Sequence, residues 1–499
     1  MSWFDEGTNR QRRRRTLLLL LAIWAGSAVY ARYKPLPSGV SIESRAYQVP
    51  ARNVSLLADV TGIDAGGQRF SRQEIFDQVL AAIREAKRFV VMDFFLFNQF
   101  RGTGGAVHRD LTAELTAALL EKRRTDPGVL LVFLTDPINT VYGGAVSPEL
   151  ARLQQAVVTV VTTDLNKLRD PNPLYAGFWR PSVRFLGNQP GWSWLPNPFD
   201  HGGKVNLRAW LAMLNFKANH RKVLIADRGS DAVSLVTSWN PHSASSAHSN
   251  IALQFTGGPW KELLASEAAV ARFSGTPFGV DVAGLAQASL ADGQATAATS
   301  SMVSLQVVTE GKIADALERQ LGTAGPGDRV DAFIFYFSDR SIIKALVAAS
   351  KRGAIVRLLL DPNKDAFGRI KNGIPNRPVA SELMLHSSAR LFVQWYDTHG
   401  EQAHDKLLLI RKTDGSASMV VGSANWTKRN LRDLNLETSV VVGGSQDAQP
   451  LRQAQDLFDL VWGNARQDRY STGYATYRQD SVWQMLRYRV MEFTGLSSF

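Results

Sequence analysis

His220-Arg221-Lys222-Val223-Leu224-Ile225-Ala226-Asp227 and His404-Asp405-Lys406-Leu407-Leu408-Leu409-Ile410-Arg411 are the two stretches on which the reading of this chain turns. In each, His-x-Lys opens an apolar run with the composition of a strand. A two-residue period puts the histidine and the lysine on one face, while the run behind them enters a sheet. Beyond each run lies a polar cluster, Thr237-Ser238-Trp239-Asn240 in the first half and Gly422-Ser423-Ala424-Asn425 in the second. Asn250 stands ten residues after Asn240, and Asn435 ten residues after Asn425, so by spacing the halves keep one register. One His-x-Lys beside a strand is weak evidence of anything. Two copies, each followed by apolar residues and a Ser-x-Asn cluster, point to a duplicated site.

Working outward, the elements around the motifs also repeat. Ile75, Val79 and Ile83 recur at four-residue spacing, which predicts a helix over 71–87. A strand at 89–97, a helix at 111–124 and a strand at 129–134 ending in Asp136-Pro137 follow. The second half replays this order: a helix at 312–320, a strand at 330–336, a helix at 341–351 and a strand at 355–360 ending in Asp361-Pro362. Such alternation predicts an α/β fold, duplicated, with two mixed-sheet halves flanked by helices around one shared active site. The expected divisions are 1–35 as a basic tail with an anchor or signal, 36–70 as a connector, 71–273 as the first half, and 274–301 as a join. Residues 302–465 are then the second half and 466–499 an extension.

These residue types suit exchange at a phosphodiester. A neutral imidazole can attack phosphorus while a protonated one gives its proton to the departing oxygen. Lysines oppose the charge that builds on the phosphoryl oxygens, and serine and asparagine add hydrogen-bond donors. Neither histidine has zincin spacing and no carboxylate cluster surrounds them, so a reaction without metal or other cofactor is expected. His201, Lys204, His242 and His248 are candidate neighbours of the site. His108, His386 and His399 read as surface or core residues.

The two motifs resemble those of the phospholipase D superfamily, His-x-Lys-x4-Asp followed by Gly-Ser-x-Asn, over residues 70 to 465. His220, Lys222 and Asp227 match the first motif, and Ser238 and Asn240 match its downstream part with Thr237 in place of glycine. His404 and Lys406 match the second, followed by Gly422, Ser423 and Asn425, while Glu437 resembles the family carboxylate beyond that cluster. By spacing, the first-half counterpart of Glu437 is Ala252. The resemblance implies catalytic roles for His220, Lys222, Asp227, His404 and Lys406. It implies supporting or phosphate-binding roles for Ser238, Asn240, Asn250, Ser423, Asn425, Asn435 and Glu437. It also implies halves facing each other across a pseudo-two-fold axis, with His220 as nucleophile and His404 as acid, although the symmetry of the sequence allows the reverse. The departure is Arg411, which stands where the motif has aspartate. Its side chain is expected to turn away from the histidines or to pair with a carboxylate, Asp414 or Glu437.

The chain of 499 residues has no cysteine, which excludes disulfides and thiolate chemistry, and its net charge of +12 fits phosphate-bearing partners of any kind. Arg10 and Arg12 to Arg15 precede the apolar run Leu17 to Ala31, the layout of a secretory signal or a signal anchor. Either reading sends the body across a cytoplasmic membrane, into a bacterial-type envelope, with a retained anchor preferred to secretion after cleavage. That segment, and Trp179, Trp192, Trp194, Phe199 and Trp210 ahead of His220, favour a phospholipid substrate at a membrane surface. Water, an alcohol or a glycerolipid is the expected acceptor. The alternatives are a secreted or periplasmic endonuclease of the same superfamily and a weakly catalytic scaffold that binds anionic lipid. Arg369, Lys371 and Arg377 fit a lipid surface or a nucleic-acid path equally. A monomer is compatible with all of these.

Overall fold

The computed structural model describes residues 3–100, 108–188, 190–200, 203–280, 301–366, 369–497 and 499. His201 and residues 281–300 of the expected join lie outside them.

Two mixed sheets dominate. The first has eight strands in the order Arg69–Arg72, Val54–Ile63, Asn250–Thr256, Asp231–Thr237, Lys222–Arg228, Phe89–Phe94, Leu130–Thr135 and Thr159–Thr162. The second has nine: Tyr47–Pro50, Met302–Thr309, Thr438–Ser445, Ser416–Gly422, Lys406–Arg411, Arg329–Ile334, Ile355–Leu360, Leu391–Tyr396 and Ser471–Gly473. From Val54–Ile63 and from Met302–Thr309 onward, seven strands of one sheet match seven of the other in order and direction, the last three of each seven being parallel. The duplicated α/β fold expected from the sequence is therefore present.

The alternation of side chains explains how one strand serves two layers. Val223 and Ile225, with Leu407 and Leu409, enter a core shared by the two halves. Their neighbours Leu224 and Ala226 pack beneath the helices Ile75–Glu85 and Leu111–Thr125. Leu408 and Ile410 pack beneath Gly311–Thr323 and Arg340–Lys351. Two of the predicted helices start where a carboxylate caps them: Asp110 accepts from Ala113 N, and Asp339 from Ser341 N and Ile342 N.

Residues 36–70, expected as a connector, hold strands of both sheets. Val54–Ile63 and Arg69–Arg72 extend the first sheet, but Tyr47–Pro50 pairs antiparallel with residues 302–305 of the second. From the other end, Ser471–Gly473 forms the far edge of the second sheet, and Arg469 bridges to Ile63. The N-terminal helix, Trp3–Tyr33, includes a stretch, Asn9–Tyr33, that is long and apolar enough to cross a membrane. Its leucines 17 to 21 are exposed. Its end docks on the helix Pro173–Trp179, with Trp24 Nε1 donating to Leu174 O at 3.0 Å and Ala31 O accepting from Asp170 N at 3.0 Å.

Candidate active site

Both histidines stand at the open ends of the parallel strands. Lys222 pairs with Phe94, the last residue of one parallel strand, and Lys406 pairs with Ile334, the last of its counterpart. Such strand ends leave backbone and side chains free to form a site. The Asp-Pro pairs that close the next strands hold the histidines in place. Asp136 Oδ2 accepts from Asn219 N at 2.7 Å, and Asp361 Oδ2 from Ala403 N at 2.8 Å, each from the residue just before a histidine. The backbone of each histidine then reaches across to the opposite half: His220 N donates to Leu436 O at 2.9 Å, and His404 N to Ser249 O at 2.8 Å.

These two cross-links reset the correspondence between the halves. Thr237 pairs with Ala252 across its hairpin, whereas Gly422 pairs with Ser439. The counterpart of Glu437 is therefore Asn250, not Ala252, and the counterpart of Asn435 is His248, not Asn250. The register inferred from equal spacing fails because the loop after the second Ser-x-Asn cluster is two residues longer and carries the short helix Lys428–Leu431.

The corrected pairs meet the histidines from opposite halves. His220 Nδ1 lies 2.7 Å from Glu437 Oε1, and Glu437 also accepts from Ser423 Oγ and Asn430 Nδ2. His404 Nδ1 lies 3.2 Å from Asn250 Oδ1, which Ser238 Oγ approaches at 3.3 Å. A carboxylate serves one imidazole and a neutral amide the other. Phe95 and Phe335, at matching positions beyond the strands, cover the imidazoles at ring distances of 4.8 and 4.9 Å. Lys222 Nζ donates to His220 O at 2.7 Å beneath Phe95, and Lys406 Nζ to His404 O at 2.5 Å beneath Phe335.

Burial sets the protonation states. It pushes His220 down to about 4, against the pull of Glu437 and with the help of Lys222. Burial, Lys406 and Lys222 hold His404 well below the ordinary imidazole value. Burial likewise lowers Lys222 to about 7 and Lys406 well below its usual range. Burial alone would raise Glu437, but His220, Lys222 and Ser423 outweigh it and keep it a carboxylate. These shifts favour neutral imidazoles, and an anion beside them favours their charged forms.

His220, His404, Asn240, Asn425 and Asn435 line one cavity of about 470 Å³. Asn240 Oδ1 accepts from Leu96 N at 3.1 Å, and Asn435 Oδ1 from Ala218 N at 2.9 Å. Asn425 Oδ1 has no partner among the described residues. Lys222, Lys406, Ser238, Ser423, Asn250 and Glu437 form the layer behind this lining.

Asp227 lies apart, at the far end of its strand. It accepts from the backbone N–H groups of Lys87, Arg88 and Phe89, which fixes the turn into the strand Phe89–Phe94. Arg411 also points away from the cavity, toward a carboxylate. The partner is Asp331 at 3.0 Å rather than Asp414 or Glu437, because Asp331 lies on the adjacent strand, with Arg329 directly opposite Arg411. Asp414 is engaged with Ser416 in the hairpin turn.

His248, Lys371, Tyr336 and Arg429 also line the cavity. His248 carried a signal in the sequence through its closeness to the first cluster, and Lys371 as one of the basic residues after Asp361-Pro362, whereas Tyr336 and Arg429 carried none. His242 is bound to Ser245 Oγ and Phe100 O, and it does not line the cavity. Of the aromatic group before His220, Phe199 and Trp210 form cavity wall, Trp179 is buried, and Trp192 and Trp194 are exposed.

Comparison with known proteins gives one family match, to "Cardiolipin synthase, PLD-like domain", over residues 317–462. Phosphatidylserine synthase of Haemophilus influenzae Rd KW20 shares the fold, with a TM-score of 0.52 at 10% identity over 91% of this chain and 94% of that one. Polyphosphate kinase of Porphyromonas gingivalis aligns with a TM-score of 0.43 at 12% identity, over 88% of this chain and 53% of that one. The phospholipase D family member Nuc of Salmonella typhimurium aligns with a TM-score of 0.25 at 21% identity, over 34% of this chain and 97% of that one. No curated protein sequence matches the chain.

Proposed function

The C-terminal half of this chain carries a phospholipase D-superfamily domain, and from that premise we propose that the whole molecule is a phosphodiesterase or phosphatidyltransferase acting on phospholipids. The observation that carries the reading is the single cavity lined by His220 and His404, each of which takes its Nδ1 partner from the opposite half.

In the proposed reaction, Nε2 of His220 attacks phosphorus while its Nδ1–H remains on Glu437. The bond from phosphorus to the leaving oxygen breaks, and that oxygen takes a proton from His404. Lys222, Lys406, Asn240 and Asn425 oppose the charge gathering on the free phosphoryl oxygens. Water or an alcohol then enters, gives its proton to His404 and attacks phosphorus, and the bond to His220 breaks. The asymmetry of partners supports these roles. A carboxylate behind Nδ1 stabilises the positive charge that His220 gains as a phosphohistidine. An amide gives His404 no such support, so His404 surrenders its proton more readily. The reaction as proposed runs without a metal, so turnover is expected to survive chelation.

A lipid substrate fits the apolar wall of Phe199, Trp210, Met213, Leu214 and Phe216 and the apolar N-terminal helix. The test is product analysis with mixed phospholipids, with and without a primary alcohol or glycerolipid acceptor. Phosphatidic acid with a free headgroup means hydrolysis, and a new phosphodiester lipid means transfer. Cleavage of single-stranded or duplex DNA with the lipids untouched would replace this reading with an endonuclease.

A further inference from the structure

The cavity lining includes Lys217, Lys371 and Arg429 but no aspartate or glutamate among the described residues. Lys217 is already neutralised by Asp170 at 2.7 Å. Among the described residues, the other two have no carboxylate within ion-pair distance. Arg429 is 9% exposed, and its guanidinium donates only to Ser497 and lies 5.5 Å from the Phe216 ring, leaving Nε without an acceptor. The nearby carboxylate of Glu492 is occupied by Ser338 Oγ at 2.8 Å and Lys428 N at 2.9 Å. Lys371 Nζ donates to Tyr336 OH and lies 4.8 Å from that ring. A buried guanidinium without a direct ion pair is costly, and an anionic ligand that pairs with it reduces the cost.

This pair of cations has no mirror image in the first half. Tyr336 follows the strand Arg329–Ile334 at the position where Leu96 follows Phe89–Phe94. The reacting phosphate has its own, symmetric pair in Lys222 and Lys406. We propose that Lys371, Tyr336 and Arg429 form a second anion subsite, so that the substrate carries a negatively charged group besides the phosphodiester that reacts. On the phospholipid reading, on which this rests, the diacylglycerol portion is uncharged, and the second anion belongs to the headgroup or to the acceptor that replaces it.

The test uses short-chain phospholipids, dissolved as monomers, that share their acyl part and differ in the leaving alcohol: ethanolamine, glycerol or glycerol 3-phosphate. The full chain is expected to favour the glycerol 3-phosphate headgroup over glycerol in kcat/KM by at least about tenfold, as a charge-assisted hydrogen bond predicts. In R429Q and K371Q that ratio is expected to collapse toward one. K371Q changes a half-exposed side chain, so it decides the matter if R429Q fails to fold. Equal turnover of the headgroups by the unaltered chain, or an undiminished preference in K371Q, overturns the proposal. If no lipid is turned over, the phospholipid reading falls by itself. The subsite is then judged by calorimetry with glycerol 3-phosphate, expected to bind about tenfold more weakly to K371Q than to the unaltered chain. Equal binding overturns it.

Discussion

Glu437 and Asn250 hold the same place in their halves yet give the two imidazoles different characters, and most of what can be tested at single residues follows from this. On the proposed roles, His404→Ala removes the acid but not the nucleophile. With a lipid substrate its turnover is expected to fall by about a hundredfold to ten-thousandfold. With 4-nitrophenyl esters, whose leaving group needs no proton, that variant is expected to accumulate label on His220, detected by mass spectrometry of peptides. Label on His404 in H220A would reverse the roles. Asn250→Asp would place a carboxylate behind His404 and raise its pKa. The basic limb of the pH profile is expected to move to higher pH, which a kcat/KM profile reads directly. Stability should track the same groups. His220 stays neutral in the folded chain down to about 4, from an ordinary 6.5. The unfolded chain therefore binds more protons between those values, and stability is lost as pH falls from about 6.5 toward about 4. The melting temperature of H220N is expected to depend less on pH across that window.

At the scale of strands and turns, the two halves brace the same corner with opposite polarity. In the first, Asp227 reaches from the strand and accepts three N–H groups of the turn before its neighbour. Arginine cannot accept such bonds. In the second half the carboxylates come from the neighbouring segment instead: Asp328 accepts from Thr413 N and Gly325 N, and Asp331 takes Arg411. Asp331 also holds Arg357 at 2.7 and 2.8 Å, so it keeps a counter-charge when Arg411 is lost. Arg411→Ala is accordingly expected to cost about 1–3 kcal/mol by urea denaturation while kcat stays near normal. The helices and strands around these corners were legible because their periodicity is local: Ile75, Val79 and Ile83 face one way without help from distant residues. The motif residues were legible because they occur twice. The partners were not. Glu437 and Asn250 are matched only by strand pairing across loops of unequal length, nothing near Phe95 announces its place over His220, and nothing near Arg429 announces its contact with Phe216 of the opposite half.

Across the whole molecule, two apolar surfaces stand out. The N-terminal helix exposes its leucines, and the helix Val482–Thr494 exposes Val482, Trp483, Leu486, Val490 and Phe493 while burying Tyr488 and Glu492. The ends of the two helices approach one body: Trp24 meets Leu174, and Gly495 packs against Pro171. The full chain is expected to stay with membranes through a high-salt wash, and a chain lacking residues 1–33 to move to the soluble fraction while still cleaving short-chain lipids. Recovery of a soluble form shortened near residue 30 from cells making the full chain would instead mean a cleaved signal. The apolar segment was plain in the sequence. The donation of an edge strand to the second sheet was not, since the four residues at 47–50 carry no mark of the sheet they join.

That donated strand constrains how the chain can be made. Tyr47–Pro50 leaves the ribosome early, but its partner strand at 302–309 emerges only after the whole first half. Until then the early segment waits beside a nearly finished neighbour, unable to complete its pairing. The two halves are thus stitched by an out-of-order seam, and synthesis of the second half alone should leave Met302–Thr309 as a raw edge. Such a fragment invites mispairing with other copies, whereas co-expression with the first piece offers it the strand it lacks.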